Sequence, residues 1–290
     1  MNLPHVRPYL FVFLGASLGG FSGIFVKLLG ISSGSIAFFR FAVPTVLFGL
    51  FFLFKKHWPF HGNYGWMLFA SLLNALKILF FVFGFLLTQI GNAQILFFTW
   101  PLFVALFEVV LLRQKIKKHI LVLFALASLG IFIIFSTKDF SLSDYNFFGM
   151  AAILFSAILT GLMTVIMKKE IHEYSNVEAI FFQCLVGACI FLPFFVFSFP
   201  FFEIKTIGLG VFYGLLIGVF LWLFYFAGLR RLKASHFSLL TYWEVPAALV
   251  YAVLFLGETI SVNQIVGAFC ILGAGALLFF FDNKKERIFL

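Results

Sequence analysis

The sequence predicts an all-α integral membrane protein with ten transmembrane helices, arranged as two inverted five-helix repeats. Three observations predict this fold. Hydrophobic residues make up 63% of the 290 residues and charged residues only 11%, whereas soluble domains carry about 25% charged residues. Apolar runs of the length needed to cross a ~30 Å hydrocarbon core recur along the whole chain. Lys and Arg are concentrated in every second connection. This composition excludes a soluble enzyme and a disordered protein.

Ten apolar segments are the predicted spans, numbered in chain order. They are continuously apolar, whereas the strands of a spanning β-barrel would alternate. The connections are short and leave no room for a separate soluble domain. The spans cover about residues 8–30, 34–54, 63–87, 92–112, 119–137, 147–168, 177–199, 205–229, 235–256 and 262–281.

The basic residues predict that both termini lie in the cytoplasm. With the N-terminus inside, the outer connections hold only Lys138 and Lys205. Cytoplasmic segments are expected to be the ones rich in Lys and Arg. The fifteen basic residues that then lie on the cytoplasmic side are Arg7, Lys55, Lys56, Arg113, Lys115, Lys117, Lys118, Lys168, Lys169, Arg230, Arg231, Lys233, Lys284, Lys285 and Arg287.

The two halves of the chain repeat. Residues 96–122 read LFFTWPLFVALFEVVLLRQKIKKHILV, and residues 241–267 read TYWEVPAALVYAVLFLGETISVNQIVG. An offset of 145 aligns them and places Pro101 on Pro246. The same offset places the turn Leu112-Arg113 on Gly257-Glu258.

Each repeat contains five spans, the first within residues 1–141 and the second within residues 142–290. Because five is an odd number, the two repeats must enter the membrane with opposite topology. Inverted repeats of this kind are typical of secondary transporters.

Two stretches resemble a known family. The stretch GGFSGIFVKLLGISSGSIAFFRF (19–41) has a glycine-rich first helix, a lysine and an FFRF-like second helix. The stretch ALVYAVLFLGETISVNQIVGAFCILGAGALL (248–278) has an LGE turn before a glycine-rich tenth helix. Together they resemble the EamA-type branch of the drug/metabolite transporter (DMT) superfamily, across essentially the whole chain.

This resemblance implies a secondary transporter of the bacterial inner membrane. It implies a central cavity lined mainly by spans 1, 3, 4, 6, 8 and 9, with spans 5 and 10 at the periphery. It leaves the substrate open among amino acids, purines, S-adenosylmethionine and drugs, with a preference for export.

Ionisable residues inside a span are costly and by default mark function. Five residues qualify: Lys27, Arg40, Lys77, Glu108 and Glu244. Lys27 and Arg40 lie near the predicted outer ends of spans 1 and 2, where long side chains can reach the interface. Glu108 lies near the cytoplasmic end of span 4. For these three we expect structural anchoring or local pairing.

Lys77 and Glu244 lie near the middle of spans 3 and 9 and cannot reach water along their own helices. We therefore expect a polar binding site, with Lys77 for an anionic group and Glu244 for a cationic group or a proton. The alternative is a buried Lys77–Glu244 ion pair with a structural role. The two readings are compatible, because a substrate that supplies both charges can open the pair.

Polar and aromatic neighbours extend this predicted site. Asn74 shares a helix face with Lys77, and two tryptophans at mid-span could stack on a planar or cationic substrate, although packing explains them equally well. His236 and Glu244 are candidate coupling residues, although a histidine near the cytoplasmic interface is more often structural. The predicted substrate-binding residues are Lys77, Glu244, Asn74, Trp100, Tyr242 and Trp243.

Prolines and glycines predict the helix mechanics. Pro101 and Pro246 each remove a backbone hydrogen bond near mid-span, so both spans should kink, as a hinge or cavity lining. Glycines four residues apart allow helices to pack closely or to slide. They are Gly15, Gly19 and Gly23 in span 1, and Gly210, Gly214 and Gly218 in span 8.

A lysine and a glutamate together suit a zwitterion, so the favoured function is transport of an amino acid or another amine-bearing metabolite by alternating access. Alternatives are an importer or exchanger of a purine-bearing metabolite such as S-adenosylmethionine, or of drug-like cations. A membrane enzyme and a non-transporting scaffold are more remote, since no Walker loop, HExxH or GxSxG is found and the three cysteines lack metal-ligand spacing. The expected partners are the bilayer, a small-molecule substrate and protons; a homodimer is left open, and no nucleic acid, metal or cofactor is expected.

Overall fold

The fold is that of an all-α membrane protein with ten spans, as predicted. The computed structural model describes residues 3–56, 59–60, 64–88, 90–136 and 144–286, and none of these residues is in a β-strand. Lys138 and Arg287, two of the basic residues used to predict orientation, lie outside these ranges. The helical stretches long and apolar enough to cross a membrane are Val6–Leu29, Ser33–Lys55, Tyr64–Leu87, Asn92–Leu112, Lys118–Phe135, Asn146–Glu173, Asn176–Ser198, Ile204–Leu229, Ala234–Leu256 and Val262–Phe281.

Six spans are single α-helices, span 6 continues from α7 into a 3-10 turn at Ile171–Glu173, and three spans are composite. Span 4 contains α4 and α5, span 9 contains α11 and α12, and span 8 contains α9 and α10 joined by a π-helical segment at Gly214–Phe220. The helices are α1 (Leu3–Leu29), α2 (Ser33–Lys55), α3 (Tyr64–Leu87), α4 (Ile90–Phe97), α5 (Trp100–Leu112), α6 (Lys118–Phe135), α7 (Asp144–Glu170), α8 (Asn176–Ser198), α9 (Ile204–Tyr213), α10 (Leu221–Leu229), α11 (Ala234–Thr241), α12 (Glu244–Leu256) and α13 (Val262–Glu286).

Spans 4 and 9 are interrupted at matching places. Each interruption is two residues long and lies directly before Trp100 in span 4 and before Glu244 in span 9. Pro101 and Pro246 follow within the first turn of α5 and α12, where a missing backbone N–H costs little. The prolines therefore begin second half-helices rather than bending continuous ones. The positions predicted for kinks are positions of helix breaks.

α5 and α12 also end in the same way. Arg113 and Gly257 cap them in the left-handed conformation, with φ of 52° and 66°. The helix bounds thus pair Arg113 with Gly257, at an offset of 144. The sequence alignment, which placed Leu112 opposite Gly257, is wrong by one residue at this turn.

Arg113→Gly is expected to raise the free energy of unfolding by about 1 kcal/mol, because left-handed backbone is strained for a residue with a Cβ. Lys115→Gly is the matched control, since it removes the same charge in the same connection at a position without positive φ. SDS-induced unfolding in mixed micelles measures both. Equal behaviour of the two variants would show that the strain at Arg113 is negligible.

Packing between the spans has an internal symmetry. Spans 2 and 7 pack together, and spans 5 and 10 pack mainly on each other at the periphery. The other extensive contacts are 3 with 6, 4 with 6, 3 with 7, 1 with 8, 1 with 9 and 2 with 8. If each span is replaced by the span five places further along, the contacts 3–6, 4–6 and 3–7 become the contacts 8–1, 9–1 and 8–2, which are the remaining three. Such symmetry is what an inverted repeat requires, and the inverted repeat remains a prediction.

Most of the spaced glycines are contact points between helices. A side chain at Gly15 would press on Tyr225, and one at Gly214 would press on the backbone of Phe39. Gly19, Gly210 and Gly218 are equally tight. Gly23 differs, because nothing lies within 4 Å of its missing Cβ. The close-packing prediction is therefore correct for five of these glycines and wrong for Gly23.

Candidate substrate cavity

A cavity of about 610 Å³ lies between spans 1, 2, 3, 4 and 9, and spans 5 and 8 contribute one lining residue each. This volume falls within the range of small-molecule sites, which are mostly apolar with a few polar groups. Its aromatic lining comprises Phe81, Phe85, Phe97, Phe98, Phe135 and Tyr213. Its polar and charged lining comprises Ser22, Lys27, Ser33, Arg40, Gln94, Glu244 and Glu258.

The cavity has a mouth and a base. Lys27 and Glu258 line it where spans 1 and 9 end, and they form an exposed ion pair there. Arg40 is the eighth residue of span 2, about 10 Å from that end of the span at 1.5 Å per residue. Glu244 is about 18 Å from the same end of span 9. The base of the cavity therefore carries one carboxylate and one guanidinium near the middle of the bundle.

Glu244 is the first residue of α12, so the break in span 9 places its carboxylate at a helix N-terminus. The helix dipole favours negative charge there. Span 1 makes room for this side chain, because a Cβ at Gly19 would lie 2.7 Å from Glu244 Cδ and 2.9 Å from Oε2. The Tyr225 hydroxyl is buried on the span 8 side of the carboxylate, in its electrostatic range, without a hydrogen bond of ordinary geometry.

Gly19→Ala is expected to lower substrate exchange at least tenfold while the protein still folds. The added methyl group must push the Glu244 carboxylate out of its present position, and small displacements of a binding group are costly. Gly273→Ala in span 10 is the matched control, since nothing lies within 4 Å of that Cβ position. Exchange by reconstituted protein checks the pair. Wild-type exchange by Gly19→Ala would mean that the position of the carboxylate does not matter.

Arg40 was expected to anchor the outer end of span 2, and the structure corrects this. Its guanidinium lines the cavity together with Glu244, and its backbone carbonyl lies against Gly218 of span 8. Among the described residues, no hydrogen bond or ion pair is formed by the guanidinium. Span 2 begins at Ser33, so Arg40 is two turns inside it, and this depth is the signal that sequence reasoning underweighted.

Lys77 lies behind the lining rather than in it. The residue is only 6% exposed, and its Nζ is 5.6 Å from the centroid of the Trp222 ring. Arg40 and Glu244 are both within its electrostatic range. The direct Lys77–Glu244 ion pair considered from the sequence is not formed among the described residues.

The other predicted site residues also pack outside the cavity lining. Asn74 is buried and donates to the Gln183 carbonyl over 2.9 Å, while its own Oδ1 has no partner among the described groups. Trp100 is buried. His236 is half-buried in α11 and has contacts of its own.

Tyr242 and Trp243, which form the break in span 9, point away from the cavity. The Tyr242 hydroxyl donates to the Phe98 carbonyl over 2.9 Å, within the apolar cluster against span 5. Trp243 donates to Ser17 Oγ over 2.8 Å and stacks on Phe13 at 4.6 Å. Both side chains thus connect the break to spans 1, 4 and 5 and do not line the cavity.

At the end of the bundle opposite the cavity mouth, which is the predicted cytoplasmic end, charged side chains hold the connection between spans 8 and 9. Glu108, 1% exposed, accepts hydrogen bonds from the backbone of Ala234 at 2.9 Å and Ser235 at 3.0 Å. It thus caps the N-terminus of α11. Of the two expectations for Glu108, structural anchoring or local pairing, the structure shows an anchoring contact, to a residue 126 positions away in the chain.

Two basic residues, Lys168 and Arg230, form further contacts at this end of the bundle. Lys168 Nζ of span 6 donates to the carbonyls of Leu229 at 2.7 Å and Arg230 at 3.1 Å, which caps the C-terminus of α10. Arg230 in turn donates to the Tyr174 carbonyl and, over 2.6 Å, to Asn176 Oδ1. The cavity and these contacts lie at opposite ends of the same bundle.

Comparison with known proteins agrees with this architecture. An uncharacterized transporter of Clostridium kluyveri is 28% identical over 211 residues, covering 69% of this chain and 66% of its own length. The uncharacterized transporter YoaV of Bacillus subtilis is 25% identical, covering 70% and 71%. The pseudopaline exporter CntI of Pseudomonas aeruginosa is 24% identical, covering 56% of each chain. The match thus spans about two thirds of the first two relatives.

A solved crystal structure shares the fold, with a TM-score of 0.78 at 14% identity over 96% of this chain and 98% of the other. Residues 6–136 and 147–280 each match the EamA-like transporter family. Together the two matches cover both halves of the chain and all ten spans. The protein is therefore a multi-pass membrane protein of the EamA-like transporter family, within the DMT superfamily.

Proposed function

We propose that this protein is a secondary transporter of the cytoplasmic membrane, with both termini inside, that moves an amino acid or another amine-bearing metabolite. It works by alternating access, in which two inverted five-helix repeats rock around the base of the cavity. The single observation that carries the proposal is the Glu244 carboxylate at the base of a metabolite-sized cavity. A carboxylate there can bind a substrate amine or a coupled proton.

The arrangement of the charges supports alternating access. The cavity reaches Glu244 from the predicted outer side, while Glu108 and Lys168 hold the cytoplasmic side together. The half-helix that begins at Glu244 matches the discontinuous helices that form substrate sites in inverted-repeat transporters. With the predicted orientation, the proposal assigns this structure to the outward-open state and requires the contacts of Glu108 and Lys168 to release in the inward-open state.

The proposed binding site keeps Glu244 at its centre. Lys77 remains a candidate because it is within electrostatic range of Glu244. Asn74 remains one because it shares a helix face with Lys77. Export is the preferred direction, which is supported by the relative named as a pseudopaline exporter. Coupling to protons would use Glu244.

Counterflow in proteoliposomes tests the proposal, because it requires no knowledge of the driving force and reports both orientations of the protein. Vesicles preloaded with a mixture of amino acids and nucleoside-type metabolites are diluted into the same compounds carrying a radiolabel. We expect accumulation of amine-bearing compounds, and none in protein-free vesicles. Folded protein that exchanges none of these compounds would contradict the proposed function.

A further inference from the structure

The base of the cavity carries more positive than negative charge. Arg40 and Glu244 line it, and Lys77 lies directly behind, in electrostatic range of both. The other titratable neighbours are the phenols of Tyr213 and Tyr225 and the Cys184 thiol, which are ordinarily uncharged at neutral pH. The Lys27–Glu258 pair at the mouth adds no net charge. With Lys77 protonated, these side chains therefore carry one more positive than negative charge.

The Arg40 guanidinium is accessible from the cavity. Among the described residues, the Arg40 side chain forms neither a hydrogen bond nor an ion pair, and the residue is only half-buried. Arg40 and Glu244 face the same cavity without contacting each other. A guanidinium presents a planar fork of donors that fits a carboxylate or phosphate group. The space between the two side chains can thus hold a ligand that bridges them.

Charge balance then restricts the ligand. In the outward-open state, water solvates the excess charge. When the cavity closes around a substrate this water is lost, and an uncompensated charge in a low-dielectric interior is strongly unfavourable. A zwitterion brings one charge of each sign and leaves the excess in place. A substrate with one further anionic group neutralises the site.

We propose that Arg40 is the anion-binding residue of this cavity and that the preferred substrate is an amine-bearing compound with one more negative than positive charge. The amine binds Glu244, one anionic group binds Arg40, and the second anionic group balances Lys77. This inference rests on the proposed function and narrows its substrate class from zwitterions to net monoanions.

Isosteric pairs of compounds that differ by one charge test the inference. Counterflow is measured with glutamate against glutamine, and with 4-carboxyphenylalanine against 4-carbamoylphenylalanine, whose ring suits the aromatic lining. Wild-type protein is expected to prefer the acidic member of a pair by about tenfold, as a difference of one buried charge pair readily produces. Arg40→Gln is expected to reverse the preference, because the site then has no excess charge. Arg40→Lys should retain it.

The ratio within a pair does not depend on the amount of folded protein, so a poorly expressed variant still gives an answer. Lys205→Gln is the matched control, since Lys205 is an exposed cation outside the cavity. A wild-type preference for the amide members, or an unchanged ratio in Arg40→Gln, would overturn the inference and leave the proposed transport intact. If folded wild-type protein exchanges other amine-bearing compounds of the mixture but neither acidic compound, the inference fails and the proposed function stands. If it exchanges no compound of the mixture, both fail.

Discussion

Glu244→Gln is expected to reduce counterflow to the level of protein-free vesicles while the protein still inserts and folds. The substitution keeps the size of the side chain but removes the negative charge at the base of the cavity. The substrate amine, or a coupled proton, then has no carboxylate to bind. The two cations Arg40 and Lys77 remain nearby and repel it. Because a buried charged hydrogen bond contributes about 1.5–3 kcal/mol, exchange should fall by at least tenfold.

Glu203→Gln is the matched control for this variant, since it removes the same charge from an exposed position outside the cavity. Elution of each variant as a single species in detergent confirms folding. Exchange by Glu244→Gln at the wild-type rate would remove Glu244 from the mechanism, whatever the substrate.

Glu108→Ala is expected to lower the free energy of unfolding by about 3–5 kcal/mol, the usual cost of breaking a buried charged interaction by removing one partner. The variant leaves the Ala234 and Ser235 amides at the start of α11 without an acceptor. It also removes the negative charge that faces Lys168. Glu108→Gln should lose less, because its amide oxygen can still accept one of the bonds.

SDS-induced unfolding measures this series, with Glu258→Gln as the control for loss of a partly exposed acidic side chain. A loss below 1 kcal/mol for Glu108→Ala would show that water or another group caps α11 instead. Stability that falls equally in the Glu258 variant would point to net charge rather than to the cap.

The features that depend on hydrophobic composition and on helix-breaking prolines were predictable from the sequence. Hydropathy alone defines ten spans, and Pro101 and Pro246 mark where spans 4 and 9 are interrupted. The direction of side chains was not predictable. With 48 Phe residues and apolar residues on every face, the spans have no polar side that distinguishes lipid from cavity. This is why Tyr242 and Trp243, adjacent to Glu244, were expected at the site and instead pack away from it.

The surroundings of Arg40 and Glu108 were not predictable either, because both residues lie close to parts of the chain that are distant in sequence. Arg40 was assigned to the membrane interface because its predicted span began near it, and only the packing of spans 1, 2 and 9 brings it into one cavity with Glu244. Glu108 caps a helix in the other half of the protein, and no local spacing rule reports such a contact. The charge itself can be read from the sequence in both cases, but its surroundings are defined only by the fold.

Access to the cavity from one side of the membrane is the most direct test of the central claim. In a chain without Cys184, Cys189 and Cys270, single cysteines replace Ala252, which lines the cavity, or Leu254, which lies nearby in span 9 but faces outward and is 70% exposed. A membrane-impermeant maleimide is added to intact cells. Maleimides react with hydrated thiols, so Ala252→Cys should be labelled from outside and Leu254→Cys should not, and an exchanged substrate should slow the labelling of Ala252→Cys. Equal labelling at both positions, or labelling of Ala252→Cys only after the membrane is permeabilised, would contradict an outward-open substrate cavity.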